Sequence, residues 1–142
     1  MKVRDAMTSH AEYISPETSL REAAQMMAKL SCGFLPIGNG RGSKLTGVIT
    51  DRDIAIRGVA EGKDPESTRI GEIQTEKVLY CYADDELEVA ADSMRDKAIY
   101  RLIVLDTPEN KQLCGILSMG DIVRRDQLSL ASQAVSGVVK AA

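Results

Sequence analysis

The chain has 142 residues, of which 44 % are hydrophobic and 27 % are charged, so it is long and apolar enough to fold around a core. Its 18 Lys and Arg against 21 Asp and Glu give a net charge of −3, and with no Trp and a single Phe it offers few rings for stacking on bases. This balance argues against a basic surface for nucleic acid. No stretch reaches the ~20 apolar residues of a membrane span, and the N-terminus has no apolar core of signal-peptide length. We therefore expect a cytoplasmic protein that binds neither nucleic acid nor membrane.

The first half of the sequence predicts, in chain order, a helix, two short strands and a second helix. A stripe of apolar residues with helical spacing follows the capping-type stretch Ser15–Thr18. Phe34–Ile37 and Gly47–Ile49 are short apolar runs typical of buried strands. A helix is predicted from Arg52 to about Glu61. The first stripe is Leu20, Ala23, Ala24 and Met27, and the second helix has Ala55, Ile56, Val59 and Ala60 on one face.

The second half of the sequence repeats the first half. The apolar stripe recurs 67 positions later as Leu87, Ala90, Ala91 and Met94. Residues 70–75 repeat the opening residues 3–8, and Leu102–Leu105 repeats the first buried strand. Because these matching residues are all separated by nearly the same number of positions, they indicate an internal duplication. Each copy therefore predicts the order strand, helix, strand, strand, helix.

The duplication predicts an α+β fold made of two β-α-β-β-α repeats. We expect the first repeat at residues 1–66 and the second at 67–142, with a C-terminal tail from about residue 127. Neither half alone is expected to bury enough surface to be stable, so the halves should depend on each other. The small, apolar tail favours a helix packed on its own or a partner subunit over an effector-binding segment.

The most informative repeat is a short polar motif at the end of a strand. Gly47-x-x-Thr50-x-x-Asp53 is matched by Gly115-x-x-Ser118-x-x-Asp121. One interpretation is structural, with the hydroxyl as helix N-cap and the carboxylate completing a capping box. The other is functional, because a helix N-terminus favours phosphate, a carboxylate can accept from two ribose hydroxyls, and Gly lets a ligand approach the backbone. Both interpretations use the same geometry.

The doubled unit, with GVITDRD in one copy and GILSMGD in the other, resembles a tandem pair of CBS domains, the regulatory module named after cystathionine β-synthase. The resemblance extends from Val3 to about Asp126. It implies a pseudo-twofold intramolecular pair whose clefts bind AMP, ADP, ATP or S-adenosylmethionine as a regulatory ligand. It also implies a stand-alone regulatory protein, commonly a homodimer, that signals to a protein target which the sequence does not identify.

The resemblance also assigns the ligand-binding residues. It implies that the motif Asp holds the ribose hydroxyls and that the Thr or Ser lies near the phosphate or base. The first cleft would contain Val48, Thr50, Asp53 and Thr75, with Arg52 at the helix start, and the second would contain Ile116, Ser118, Asp121 and Thr8.

By the same resemblance, the two clefts are expected to differ. Before the second strand, the first copy has Gly33-Phe34 where the second has Tyr100-Arg101. Arg101 would face the phosphates of a ligand held by Asp53. The Asp121 cleft would lack a cation and would either prefer an uncharged adenosyl group or remain empty. The alternative is that Arg101 is a solvated charge at the end of a strand.

Other classes of protein have weaker support in the sequence. His10 is the only histidine, and no nucleophile motif, metal-binding motif or phosphate-binding loop is present, so we expect no catalytic residues and no metal site. Cys32, Cys81 and Cys114 contain no CxxC pair and are typical of reduced, buried thiols.

A ligand-free structural dimerisation module remains the alternative. A homodimer is expected because Ile54, Ala55, Ile56, Val59, Ile122 and Val123 exceed what one small core needs.

Overall fold

The computed structural model describes residues 1–9, 11–40, 44–125 and 127–141. His10 and Asp126, which the sequence analysis singled out, lie outside the described residues, as do residues 41–43 and the last residue. In chain order the helices and strands are α1 (Val3–Ala6), β1 (Thr8–Ser9), α2 (Leu20–Leu30), β2 (Phe34–Ile37), β3 (Gly47–Thr50), α3 (Asp51–Asp53), β4 (Tyr80–Tyr82), α4 (Leu87–Lys97), β5 (Arg101–Leu105), β6 (Leu113–Ser118), α5 (Met119–Arg124) and α6 (Leu128–Ala141). A π-helical segment, Ile54–Val59, continues α3, and a 3₁₀ turn covers Ile70–Glu72. This α+β composition confirms the predicted fold class.

The chain divides into two compact units, and the first combines both ends of the sequence. Unit 1 contains Met1–Ala11 and Leu79–Ala142. Its sheet has the strand order β1-β6-β5-β4, in which only β4 and β5 are parallel. One face of the sheet is covered by apolar residues of α4, whose stripe Leu87, Ala90, Ala91 and Met94 is fully buried as predicted.

The C-terminal tail forms α6 and packs on α4 within unit 1. Ala131, Ala134 and Val138 enter the same core as the α4 stripe. The tail is therefore a helix that packs on its own subunit, one of the two arrangements that were expected. It also explains a difference between the two stripes. All four residues of the α4 stripe are buried beneath the sheet and α6, whereas Ala24 of α2 is exposed.

Unit 2 contains Glu12–Val78 and is a smaller version of the same arrangement. Strands β2 and β3 are antiparallel, and Leu20, Ala23 and Met27 of α2 pack with Ile37 and Ile49 in its core. The predicted first strand of this repeat is reduced to one parallel bridge, Ile14 to Ile37. An antiparallel bridge between Val48 and Thr75 extends the other edge.

The opening segment of each sequence repeat pairs with the last strand of the other repeat. Thr8 in β1 lies opposite Ile116 of β6, and Thr75 lies opposite Val48 of β3. The compact units and the sequence repeats are therefore different divisions of the chain. The boundaries of the compact units, at 11/12 and 78/79, follow from which segments pack together. The boundary at 66/67 is a prediction about where the first sequence repeat ends and the second begins.

The helix predicted from Arg52 to Glu61 differs from an ordinary α-helix. Only Asp51–Asp53 is α-helical, and the next six residues bond in the wider π pattern, as from the N–H of Ala60 to the carbonyl of Ala55 at 2.9 Å. Gly58 is the buried residue of this segment, and a Cβ there would lie 2.8 Å from Leu20 Cδ1. The predicted apolar face (Ala55, Ile56, Val59 and Ala60) is exposed, because the wider turn directs Gly58 to the core instead.

The three thiols are free, but only one is buried. Cys81 is buried in β4, and burial raises the pKa of its thiol to about 12. Cys32 and Cys114 are half-buried, so the expectation of buried thiols is wrong for these two, which lie at the margins of their cores.

Within the described ranges, no helix has the length and apolar character needed to cross a membrane.

We predict that Gly137→Ala destabilises the protein. A Cβ at Gly137 would lie 2.7 Å from the carbonyl carbon and Cα of Arg95, backbone atoms that cannot rotate away, so α6 must move off α4. The overpacking should lower the free energy of unfolding by roughly 1–3 kcal/mol, measured by urea denaturation.

The matched control is Gly120→Ala in α5. There a Cβ would be 3.4 Å from the flexible Arg124 Nη1, so alanine should be neutral or stabilising through its helix propensity. Equal unfolding free energies for Gly137→Ala and wild type would contradict the close approach of α6 to α4.

Candidate functional site

Each polar motif forms the junction between a strand and a helix. Thr50 caps α3, with its Oγ1 accepting from the Asp53 N–H at 3.0 Å, while Asp53 Oδ2 accepts from the Thr50 N–H at 3.1 Å. In the second motif the Ser118 hydroxyl accepts from the Asp121 N–H at 3.2 Å, and Asp121 Oδ2 accepts from the Ser118 N–H at 2.8 Å. The capping interpretation is therefore confirmed in both copies, and the fold alone accounts for these four residues.

Both motif carboxylates are buried and bonded to a threonine from the opposite repeat. Asp53 is 7 % exposed, and the Thr75 hydroxyl lies 3.1 Å from its Oδ1 and 3.0 Å from its Oδ2. Asp121 is 4 % exposed, and the Thr8 hydroxyl donates to its Oδ1 at 3.3 Å. The structure thus brings Thr75 to Asp53 and Thr8 to Asp121, the grouping that the resemblance implied.

The motif glycines make room for the protein's own backbone. A Cβ at Gly47 would lie 2.9 Å from the Thr75 carbonyl oxygen, and one at Gly115 would lie 2.7 Å from that of Thr8. These atoms belong to the opening segments that pair with β3 and β6. The expectation that Gly admits a ligand is therefore wrong for its Cβ side, since that space holds the neighbouring strand.

An arginine accompanies each motif carboxylate, and neither one was expected from the sequence. Arg57 Nη1 donates to the carbonyls of Ile73 and Gln74 at 3.2 and 3.0 Å, and its Nε is 3.8 Å from Asp53 Oδ1. Arg124 Nη2 donates directly to Asp121 Oδ1. Spacings of four and three residues on a helix could have revealed these pairs.

The ion pair of Arg124 corrects one premise about the second motif. The Asp121 site was expected to lack a cation because Gly33-Phe34 stands where the other copy has Tyr100-Arg101. A guanidinium is nevertheless present, supplied from α5 itself. The expectation considered only the strand position and overlooked the helix that follows the motif.

The other predicted residues differ in their exposure and in the unit to which they belong. Val48 is buried in β3, and Ile116 is half-buried in β6. Arg52 is exposed at the start of α3. Arg101 is exposed at the start of β5 in unit 1, directly opposite Ser118, whereas Asp53 belongs to unit 2. Across the described part of the chain, no three His, Cys, Asp or Glu side chains are grouped as metal ligands would be.

We predict that Thr75→Val destabilises the fold more than Thr8→Val. Both changes replace a hydroxyl by a methyl of similar size, but Thr75 reaches both oxygens of Asp53 and Thr8 makes one longer bond to Asp121. Loss of a bond to a buried carboxylate should cost roughly 1.5–3 kcal/mol for Thr75→Val, and less for Thr8→Val. Chemical denaturation of the two variants provides the comparison, and a larger loss for Thr8→Val would refute the assignment.

Known proteins share both the sequence and the fold of this chain. A family model described as "CBS domain" matches residues 3–58 and 70–127. Hypoxic response protein 1 of Mycobacterium tuberculosis is 32 % identical over 138 residues, covering 97 % of this chain and 91 % of that protein. A crystal structure of hypoxic response protein I, which has two coordinated zinc ions, is 31 % identical with a TM-score of 0.76, over 87 % of this chain and 98 % of that chain.

Two further structures contain adenosine compounds. A CBS domain protein from Pyrobaculum aerophilum complexed with AMP is 25 % identical with a TM-score of 0.77, over 93 % of this chain and 99 % of that chain. The CBS domain pair of protein MJ0100, in complex with 5′-methylthioadenosine and S-adenosyl-L-methionine, is 28 % identical with a TM-score of 0.76, over 91 % and 98 %. Because the family model covers both repeats and most of the chain, the protein belongs to the CBS domain family and contains a tandem pair of CBS domains.

Proposed function

We propose that the protein is a regulatory module that binds an adenosine-containing ligand, either an adenine nucleotide (AMP, ADP or ATP) or S-adenosylmethionine. Two relatives with similar folds bind AMP and S-adenosyl-L-methionine with 5′-methylthioadenosine. The observation within this chain that carries the proposal is the buried Asp53 carboxylate, which still has acceptor capacity.

Asp53 has the properties required to hold a ribose. An ionised carboxylate offers about four lone-pair positions. The Thr50 N–H takes one, and the single hydroxyl proton of Thr75 is shared between both oxygens. Arg57 Nε, at 3.8 Å from Oδ1, lies beyond hydrogen-bond distance. About two acceptor positions therefore remain for two vicinal hydroxyls.

The remaining ligand contacts are assigned by the family resemblance. In the first site, Val48 would contact the base beside Thr75, Thr50 would lie near the phosphate, and Arg52 would assist at the helix start. In the second site, Ile116, Ser118, Asp121 and Thr8 would have the equivalent roles. By the same resemblance, Arg101 would bind the phosphates of a ligand held by Asp53.

The proposed output is a change of shape or assembly that a protein target reads in the cytoplasm. In this proposal the ligand is a signal and not a substrate, and the protein is not an enzyme. The motif residues support this distinction, since Thr50 and Ser118 serve as helix caps and their hydroxyls bond to neighbouring Asp backbone or side-chain atoms. The alternative remains a ligand-free structural dimerisation module.

We predict that at least one of AMP, ADP, ATP and S-adenosylmethionine binds, and that Asp53→Asn weakens it. The amide keeps the shape of the carboxylate but loses the charge-assisted bonds to the ribose, which should cost roughly 1.5–3 kcal/mol of binding free energy. Calorimetry of the full chain against the four compounds is the measurement, with Asp51→Asn, an exposed carboxylate on the same helix, as control. If none of the four binds wild type, the sensing proposal fails and the structural module remains.

We also propose a homodimer that uses the exposed apolar face of the π-helical segment. Ile56 and Val59 are 50 % and 70 % exposed, whereas Ile122, which was expected to share this role, is fully buried in unit 1. Val123 is 43 % exposed. Large apolar side chains exposed together on one helical segment are typical of a partner-binding surface.

Val59→Glu should therefore convert the dimer to a monomer, because it places a charge in an apolar interface. Light scattering at micromolar concentration measures the mass, and Val89→Glu on α4 is a control at a similarly exposed valine. A monomeric mass for the wild type would exclude the dimer. A dimer that tolerates Val59→Glu would place the interface elsewhere.

A further inference from the structure

The two motif sites differ in how much of each carboxylate the protein already uses. Oδ2 of Asp121 accepts from the N–H and the hydroxyl of Ser118, both at 2.8 Å. Its Oδ1 accepts from the Thr8 hydroxyl at 3.3 Å and from Arg124 Nη2. These four bonds fill the roughly four lone-pair positions of a carboxylate. Asp53, by contrast, keeps about two of them.

Ligand binding at Asp121 must therefore displace existing partners. The two bonds from Ser118 are short and belong to the helix cap, so they are costly to break. The bond from Thr8 is long, and the Arg124 side chain is 69 % exposed, so water can solvate its guanidinium after release. Both of these weaker partners occupy Oδ1, so a diol that displaces them takes its acceptor positions at that oxygen.

Release of Arg124 separates an ion pair, and the charge of the ligand decides whether that loss is recovered. A neutral nucleoside leaves the guanidinium with water alone. A 5′-phosphate offers it a new anion, to which the planar fork can bind through two nitrogens. In the part of the chain that the structure describes, the Arg124 guanidinium makes its hydrogen bond and ion pair with Asp121 alone, so no second polar partner opposes its release.

Arg57 is not equivalent to Arg124. Two backbone carbonyls, of Ile73 and Gln74, hold its Nη1, and these residues lead directly into Thr75. Its guanidinium thus braces the segment that supports Asp53 and does not occupy an acceptor position of that carboxylate. The Asp53 site can accept a diol without separating an ion pair.

We infer that the ion pair of Arg124 with Asp121 is a latch, meaning a contact that a ligand must displace, and that it makes the Asp121 site select phosphate-bearing adenosine ligands over neutral ones. The inference rests on the proposed function, because it assumes that Asp121 holds a ribose. It assigns the phosphate preference of this site to a residue on the same helix as the carboxylate. The preference is the reverse of the one expected from Gly33-Phe34.

The test compares AMP with adenosine by calorimetry in the Asp53→Asn variant, which leaves Asp121 as the intact site. We expect AMP to bind more tightly than adenosine, and adding Arg124→Gln should reduce this ratio about two- to fivefold, since the arginine is exposed and its ion pair is modest. Arg124→Lys should keep part of the preference. Arg125→Gln removes the same charge from an exposed neighbour and should leave the ratio unchanged.

The outcomes separate this inference from the proposed function. If wild type binds neither AMP nor adenosine nor the other adenosyl compounds, the proposed function fails. If wild type binds AMP but the Asp53→Asn variant binds neither probe, or if Arg124→Gln leaves the ratio unchanged, only the latch is overturned. Adding Asp121→Asn to Asp53→Asn should abolish the remaining signal, and a signal that persists also overturns the latch. Thermal melting of each variant verifies that it is folded.

Discussion

The hydrogen bond from an opening-segment threonine to a buried motif carboxylate is the contact on which each unit depends. Asp53 and Asp121 are almost fully buried, and a buried carboxylate is unfavourable unless hydrogen bonds replace the lost water. Each Asp accepts from the backbone N–H of the residue that caps its helix, Thr50 or Ser118, and from the hydroxyl of Thr75 or Thr8. One side chain thus joins the strand, the helix and the opening segment. Segments distant in sequence are held at the place where a ligand is proposed to bind.

This contact also explains why the duplicated sequence and the compact units have different boundaries. The opening segment of one repeat can satisfy the carboxylate of the other only if it leaves its own repeat. Unit 1 therefore joins the first residues of the chain to its second half, and unit 2 is formed by the intervening stretch of sequence. Gly47 and Gly115 permit this exchange, because any side chain would strike the incoming backbone. The glycine, the hydroxyl and the carboxylate of the motif are thus required by one packing arrangement.

The sequence predicted the fold well where a local pattern decides the outcome. Two strands, β2 and β5, lie where the apolar runs placed them, and the α4 stripe is fully buried. It failed where the structure depends on non-local contacts. The exposure of Ala24 follows from which helix α6 covers, and the π-helical turn after Asp53 brings Gly58 against Leu20. Periodicity assumes a regular helix and cannot anticipate either effect.

The same limitation applies to the candidate site. Thr50, Asp53, Ser118 and Asp121 could be found because duplication repeats them at one offset. The duplication could not reveal Arg57 and Arg124 in the same way, because the two arginines do not occupy matching positions. Arg57 aligns with Arg125, and Arg124 aligns with the exposed Ile56. In α5, a regular helix, the third residue after the carboxylate returns to its face, whereas the wider turn after Asp53 brings the fourth residue close. The two sites share a motif, but the π-helical turn and the α-helix place their arginines differently relative to the carboxylate. This difference in helix geometry is the physical basis of the proposed difference in ligand preference.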